Sequence, residues 1–219
     1  MNRLLFEKTG RAAYMSHLDL MRTVPRAFMR AGVAIKHTEG FNPHAFVSVA
    51  MPLSVYQESI CELLNFELLP GEISLEQLPE KLSSCLPEGI KVLKAYDARR
   101  PFKQIEALEA KITLTYDRGG AAEKTEALTE LFGRSQLVIN KKTKSGYKDT
   151  DVRPGIKSVS FAAAGENIVE CLCTVSAKEP VLNPEAVVTV INTLAPEHAP
   201  DFYRIMRLSL RDAEGKIFE

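Results

Sequence analysis

One order of elements, readable twice, constrains this 219-residue chain more than any single motif. NRLLFEKTG, at the start, is a predicted strand running into a glycine turn, and SHLDLMRTVPRAFMRAGV is a predicted helix. Ser16 is the expected N-cap. Asp19 stands three residues on, in the first turn, where the helix dipole favours a carboxylate. Gly32 supplies a stop, and Pro25 predicts a kink or a division midway. VAIKHT and AFVSVAMPLSV are strand-like on either side of EGFNPH, and ESICELLNFELL is a further strand. Ser74 is the expected N-cap of a second helix over SLEQLPEKLSSCLPEG, and IKVLKAYDA is a strand again.

The second half follows the same order. IEALEAKITLTYD predicts a strand, and AAEKTEALTELFG a helix ending at Gly133. A strand at QLVIN then leads into a long polar loop, 141–156, and a strand-like end. NIVECLCTVSA is a strand, NPEAVVTVINTLA a helix with Asn183 as N-cap and Pro184 at its first position, and DFYRIMRLSLRDAEG a last strand. The pattern is β-α-β-β-α-β twice over, with DARRPFK at 97–103 as the junction. The expectation is an α+β chain of two tandem ferredoxin-like domains with antiparallel sheets, 1–98 and 104–219.

Charge narrows the partners. Lys plus Arg and Asp plus Glu both number 28, so no global basic field attracts nucleic acid, and DNA is not an expected partner. The distribution is uneven. Residues 1–50 carry seven Lys/Arg against three Asp/Glu, 51–90 one lysine against seven glutamates, and 141–160 six Lys/Arg against two aspartates. Cys61, Cys85, Cys171 and Cys173 show neither a CxxC pair nor a zinc spacing, and are expected as reduced thiols in the cytoplasm. The N-terminus lacks the apolar stretch of a signal peptide. No apolar run reaches the ~18 residues of a membrane span, so no membrane contact is expected.

Four stretches could carry chemistry. His17 and Asp19 stand at a helix start, where free N–H groups suit an anion, though a capped helix start with a surface histidine also accounts for them. Arg22, Arg26 and Arg30 recur every four residues without interleaved glutamates, as phosphate binding or an acidic partner would require. In EGFNPHAF, Gly40, Asn42 and Pro43 build a turn. Phe41 offers a stacking face, and His44 is held between a proline and an apolar strand. The 141–156 loop interleaves Lys141, Lys142, Lys144 and Lys148 with Tyr147 and ends near Arg153. That composition suits a polyanion as well as a hairpin tip. No serine or cysteine sits in a nucleophile motif, and no spacing compels a metal site.

F-x-K-T-G at 6–10, SHLDLMR at 16–22, GFNPH at 40–44 and D-x-R-P at 151–154 together resemble the radical SAM-linked protein family, a domain of unknown function (DUF2344). Members stand alone or follow a radical SAM protein that carries a cobalamin-binding-like domain. The resemblance therefore implies a radical SAM partner that uses S-adenosylmethionine and an iron–sulfur cluster. No cofactor is expected on this chain, which lacks a CxxxCxxC run. Ala45 and Phe46 stand where members commonly have proline and a basic residue, which weakens a phosphate role for that strand. Paired ferredoxin-like folds also look like the RNA-processing proteins of CRISPR systems.

The leading expectation is a non-catalytic accessory protein that recognises RNA, or an RNA-containing particle, for the radical SAM enzyme. Arg22, Arg26, Arg30, the 141–148 lysines and Arg153 would meet phosphate. His17, Asp19, Asn42 and His44 would line the contact, with Phe41 or Tyr147 stacking. One alternative is an RNA-processing or RNA-modifying enzyme using His17 and His44 as acid and base, which requires them to converge. Another is a domain that docks onto the radical SAM subunit through an exposed apolar patch.

Overall fold

The computed structural model describes residues 1–71, 73–143 and 146–219, without the side chains of 141–143 and 147. The chain divides into two compact units, Met1–Gln104 with Glu219, and Ile105–Phe218.

In the first unit, β1 (Asn2–Lys8) leads through a 3-10 turn (Gly10–Tyr14) into α1 (His17–Arg30). Then come β2 (Ser48–Val49), β3 (Gln57–Phe66), α2 (Leu78–Ser83) and β4 (Ile90–Asp97). The strands lie in the order β4-β1-β3-β2, with antiparallel neighbours. α1 buries Leu20, Val24, Ala27 and Phe28 on one side, and the Phe28 and Phe66 rings meet at 5.1 Å. Burying one such side chain contributes roughly 1.5–3 kcal/mol. α1 is not divided at Pro25, because buried Val24, Ala27 and Phe28 anchor it on both sides of the missing N–H.

The second unit holds β5 (Ala107–Thr115), α3 (Ala121–Phe132), β8 (Ile156–Ala163), β9 (Ile168–Ser176), α4 (Glu185–Leu194) and β10 (Phe202–Arg211). Their order is β10-β5-β9-β8, again antiparallel. Between α3 and β8, β6 (Val138–Thr143) and β7 (Gly146–Asp151) pair only with each other. Cys171 and Cys173 share one face of β9 and are fully buried. A hydrogen bond between the two thiols, and then burial, pushes the Cys171 thiol up.

The expectation of two separate ferredoxin-like folds is corrected. The hydrogen-bonded strands form one eight-stranded sheet and a separate two-stranded one, in place of two small sheets. Hydrophobic period identifies strands. The backbone N–H and C=O groups at a sheet edge are the same whatever the side chains, so they do not show in sequence where a sheet stops.

Smaller differences have local causes. VAIKHT forms only isolated bridges, Ile35 to Leu68 and His37 to Ala45. The second helix begins at Leu78 instead of following Ser74. Ser74 and Gln77 close a turn, the Ser74 N–H donating to Gln77 Oε1 at 3.1 Å, and Pro79 then sits in the first helical turn, where its missing N–H costs nothing. The polar loop is mostly a hairpin, β6-β7. Asn183 does cap α4, accepting from the Glu185 N–H at 3.0 Å.

Candidate functional site

Residues 36–46 form a short hairpin. The Phe46 N–H donates to the Lys36 carbonyl and the Thr38 N–H to the His44 carbonyl, each at 2.8 Å. Gly40 takes φ +123°, a conformation only glycine adopts freely, and so lets the chain reverse. The His44 N–H donates to the Thr38 hydroxyl at 3.1 Å. Its Nδ1 lies 3.1 Å from the same hydroxyl and 3.2 Å from the Asn42 carbonyl. With its proton on Nδ1 the ring donates to the Asn42 carbonyl and Nε2 is its acceptor; with the proton on Nε2, Nδ1 accepts from the Thr38 hydroxyl and Nε2 donates. Protonated, the ring also donates from Nε2 and suits an anion. Phe41, at the tip, is 112% exposed and contributes nothing to the core. Lys36 is held at the base, 3.2 Å from Glu67.

The start of α1 is capped as its sequence suggests. Ser16 Oγ accepts from the Asp19 N–H at 3.2 Å and donates to Asp19 Oδ2 at 2.7 Å. His17 is half-buried, and its Nδ1 is buried without a hydrogen-bond partner among the described residues. The arginine stripe is unequal. Arg22 lies 3.8 Å from Asp19, and Arg30 donates to the Cys85 carbonyl at the end of α2. Arg26 is exposed, with no ion pair among the described residues.

His17 and His44 are not brought together. Lys8 pairs with Ser59 at one end of the β1–β3 ladder and Asn2 with Phe66 at the other. The Tyr56 N–H donates to the Ala13 carbonyl at 2.8 Å, which ties the turn before α1 to the Ser59 end. Ile35 bridges Leu68, whose N–H donates to Asn2 Oδ1, which ties the hairpin to the Phe66 end. α1 runs between them, about 21 Å at 1.5 Å per residue. An acid–base pair of these two imidazoles has no shared site.

In the second unit, Lys141 faces Lys148 and Lys142 faces Tyr147 in the β6-β7 register. Lys148 is exposed. Lys144 and the side chains of Lys141, Lys142 and Tyr147 lie outside the described residues. Arg153 has a structural role. Asp151 Oδ1 accepts from the Leu137 and Arg153 N–H groups, and Arg153 Nη1 donates to the Ile156 carbonyl at 2.9 Å. The D-x-R-P motif thus closes the hairpin onto β8.

Two side chains escaped the sequence analysis. Tyr14 and Tyr56 form an exposed edge-to-face pair, centroids 5.4 Å apart. Nothing in the spacing of two tyrosines 42 positions apart signals that contact. Elsewhere in the first unit, a groove of about 710 Å³ is lined by Gly32, Leu68, Gly71, Gln77 and Lys81 among others, and holds none of the candidate residues. Among the described residues no cluster of three or more His, Cys, Asp or Glu could hold a metal ion, and no helix is long and apolar enough to cross a membrane.

A family model described as "Uncharacterized protein conserved in bacteria (DUF2344)" matches residues 2–184, and the chain belongs to that family. No curated protein matches. A solved structure of an unknown protein from Galdieria sulphuraria aligns at 11% identity over 94% of this chain and 96% of that one. Its TM-score of 0.28 is too low to support a structural argument.

Proposed function

We propose that this family member is an accessory protein that recognises RNA for a radical SAM enzyme in the cytoplasm, with the 36–46 hairpin as its contact centre. The observation that carries the reading is the pairing of Phe41 and His44. A wholly exposed phenylalanine stands at a turn that glycine, asparagine and proline shape, beside an imidazole fixed through Nδ1. Folding explains neither. A base stacked on Phe41, with a phosphate or base edge at His44 Nε2, uses both. Lys148 on β7 and Arg26 on α1, both exposed, supply sites for phosphate. The link to a radical SAM partner rests on the family resemblance of the SHLDLMR and GFNPH motifs.

Salt-titrated binding to total cellular RNA tests the reading. Affinity should fall steeply with salt, and Lys148→Glu should flatten the slope. Absence of binding at low salt would remove RNA as the target. A pull-down with and without ribonuclease then separates the partners. A radical SAM protein lost on ribonuclease treatment is bridged by RNA. One retained, with no RNA affinity in the purified chain, makes exposed Phe41 a protein-docking residue instead.

A further inference from the structure

Tyr14 and Tyr56 have no role in the hairpin site, and the core does not need them. They are 67% and 73% exposed, yet their rings are held edge to face at an interplanar angle of 89°. The backbone is arranged to hold them. Tyr56 takes φ +70°, a left-handed conformation that bulky side chains rarely adopt, and its N–H is tied to the carbonyl of Ala13, the neighbour of Tyr14. Folding alone would favour glycine at such a position. Retention of a large ring there, facing solvent, points to use of the ring.

The charges around the pair fit a nucleotide. Residues three apart in a 3-10 turn eclipse, so Arg11 shares a face with Tyr14 in the Gly10–Tyr14 turn. Arg11 is exposed and has no ion pair among the described residues. Two nearby carboxylates have partners, and exposed Glu88, beside the Gly89 carbonyl that accepts from the Thr9 N–H, is a third negative charge by the turn. Glu58 accepts from the Gly10 N–H at 2.6 Å, and Asp19 is held by Ser16 and Arg22.

We propose that Tyr14, Tyr56 and Arg11 form a second contact for single-stranded RNA, in which a nucleobase stacks on the tyrosine pair and its phosphate meets the Arg11 guanidinium. This rests on the RNA reading above and extends it. The new contact and the Phe41 tip lie at opposite ends of α1, so one strand engages both and each strengthens the other by effective concentration.

The test is binding of a short fluorescently labelled oligoadenylate to the full chain by anisotropy, with circular dichroism melts as the folding control. Tyr56→Gly accepts the positive φ and removes the ring. Its affinity should fall roughly 5- to 150-fold, the range for loss of one stacked base. Tyr56→Phe keeps the ring and should bind like the unaltered chain. Tyr14→Ala should fall with Tyr56→Gly, and supplies the answer if the glycine variant does not fold. Unchanged affinity in Tyr56→Gly and Tyr14→Ala, while the unaltered chain binds, overturns this contact and leaves the hairpin reading standing. An unaltered chain that binds no oligonucleotide overturns both. Equal losses in Tyr56→Phe and Tyr56→Gly would show that the hydroxyl is used instead of the ring, and would also overturn the stack.

Discussion

His44 Nδ1 and the Thr38 hydroxyl lie 3.1 Å apart, and the same hydroxyl accepts the His44 backbone N–H. One side chain therefore fixes both the ring and the strand at the hairpin tip. Thr38→Val keeps the shape and removes both contacts. It should cost about 0.5–1.5 kcal/mol of stability by chemical denaturation. RNA affinity should fall further than that loss implies, because the imidazole is then held by the Asn42 carbonyl alone. An RNA affinity unchanged in Thr38→Val would mean that the fixed ring is incidental.

Gly89 stands where nothing larger fits. It takes φ +87°, and an added Cβ would lie 2.2 Å from the Thr9 carbonyl oxygen. That oxygen belongs to the turn that leads into α1. Gly89→Ala combines an unfavourable φ with a backbone clash, and should lose roughly 2–5 kcal/mol by urea denaturation. A loss below 0.5 kcal/mol would show that the turn gives way freely.

Ser16→Ala removes the cap of α1 and should destabilise the chain by about 1 kcal/mol. Ser16→Thr should restore most of it, since threonine keeps the hydroxyl that accepts from the Asp19 N–H and donates to the Asp19 carboxylate. Thermal melts of the two variants give the comparison.

Burial, with a smaller contribution from Asp201, pushes the Tyr116 phenol up to about 12, and its hydroxyl donates to the His198 carbonyl at 3.1 Å. An unfolded tyrosine titrates near pH 10. The raised value means that the folded chain holds a proton the unfolded chain has released. Its contribution is complete below pH 10 and is lost as pH rises towards 12, up to about 2–3 kcal/mol. Tyr116→Phe should have a shallower decline of denaturation midpoint over that window. Parallel slopes for the two proteins would contradict the buried phenol.

The parts of the fold legible in sequence are those written in local chemistry. The Ser16 cap with Asp19 and the Asn183 cap are each carried by a few adjacent side chains. Sheet extent was not legible, because backbone groups that carry no residue identity decide it. The separation of His17 from His44 was not legible either. It depends on the β1–β3 register and on the run of α1, neither of which is encoded within SHLD or GFNPH. Tyr56 was missed for a related reason, since its positive φ comes from a tertiary bond to Ala13. GFNPH reads as a turn followed by a held histidine, and the structure adds how Thr38 and Asn42 hold it.

The most direct test is RNA affinity of the full chain and of Phe41→Ala, each across a salt series. Phe41 is wholly exposed, so the substitution should leave the melting temperature unchanged. The account predicts an affinity loss of roughly 5- to 150-fold with an unaltered salt slope, because a stack is removed and every phosphate contact remains. Equal affinity in the two proteins, or an unaltered chain without salt-dependent binding, would contradict it.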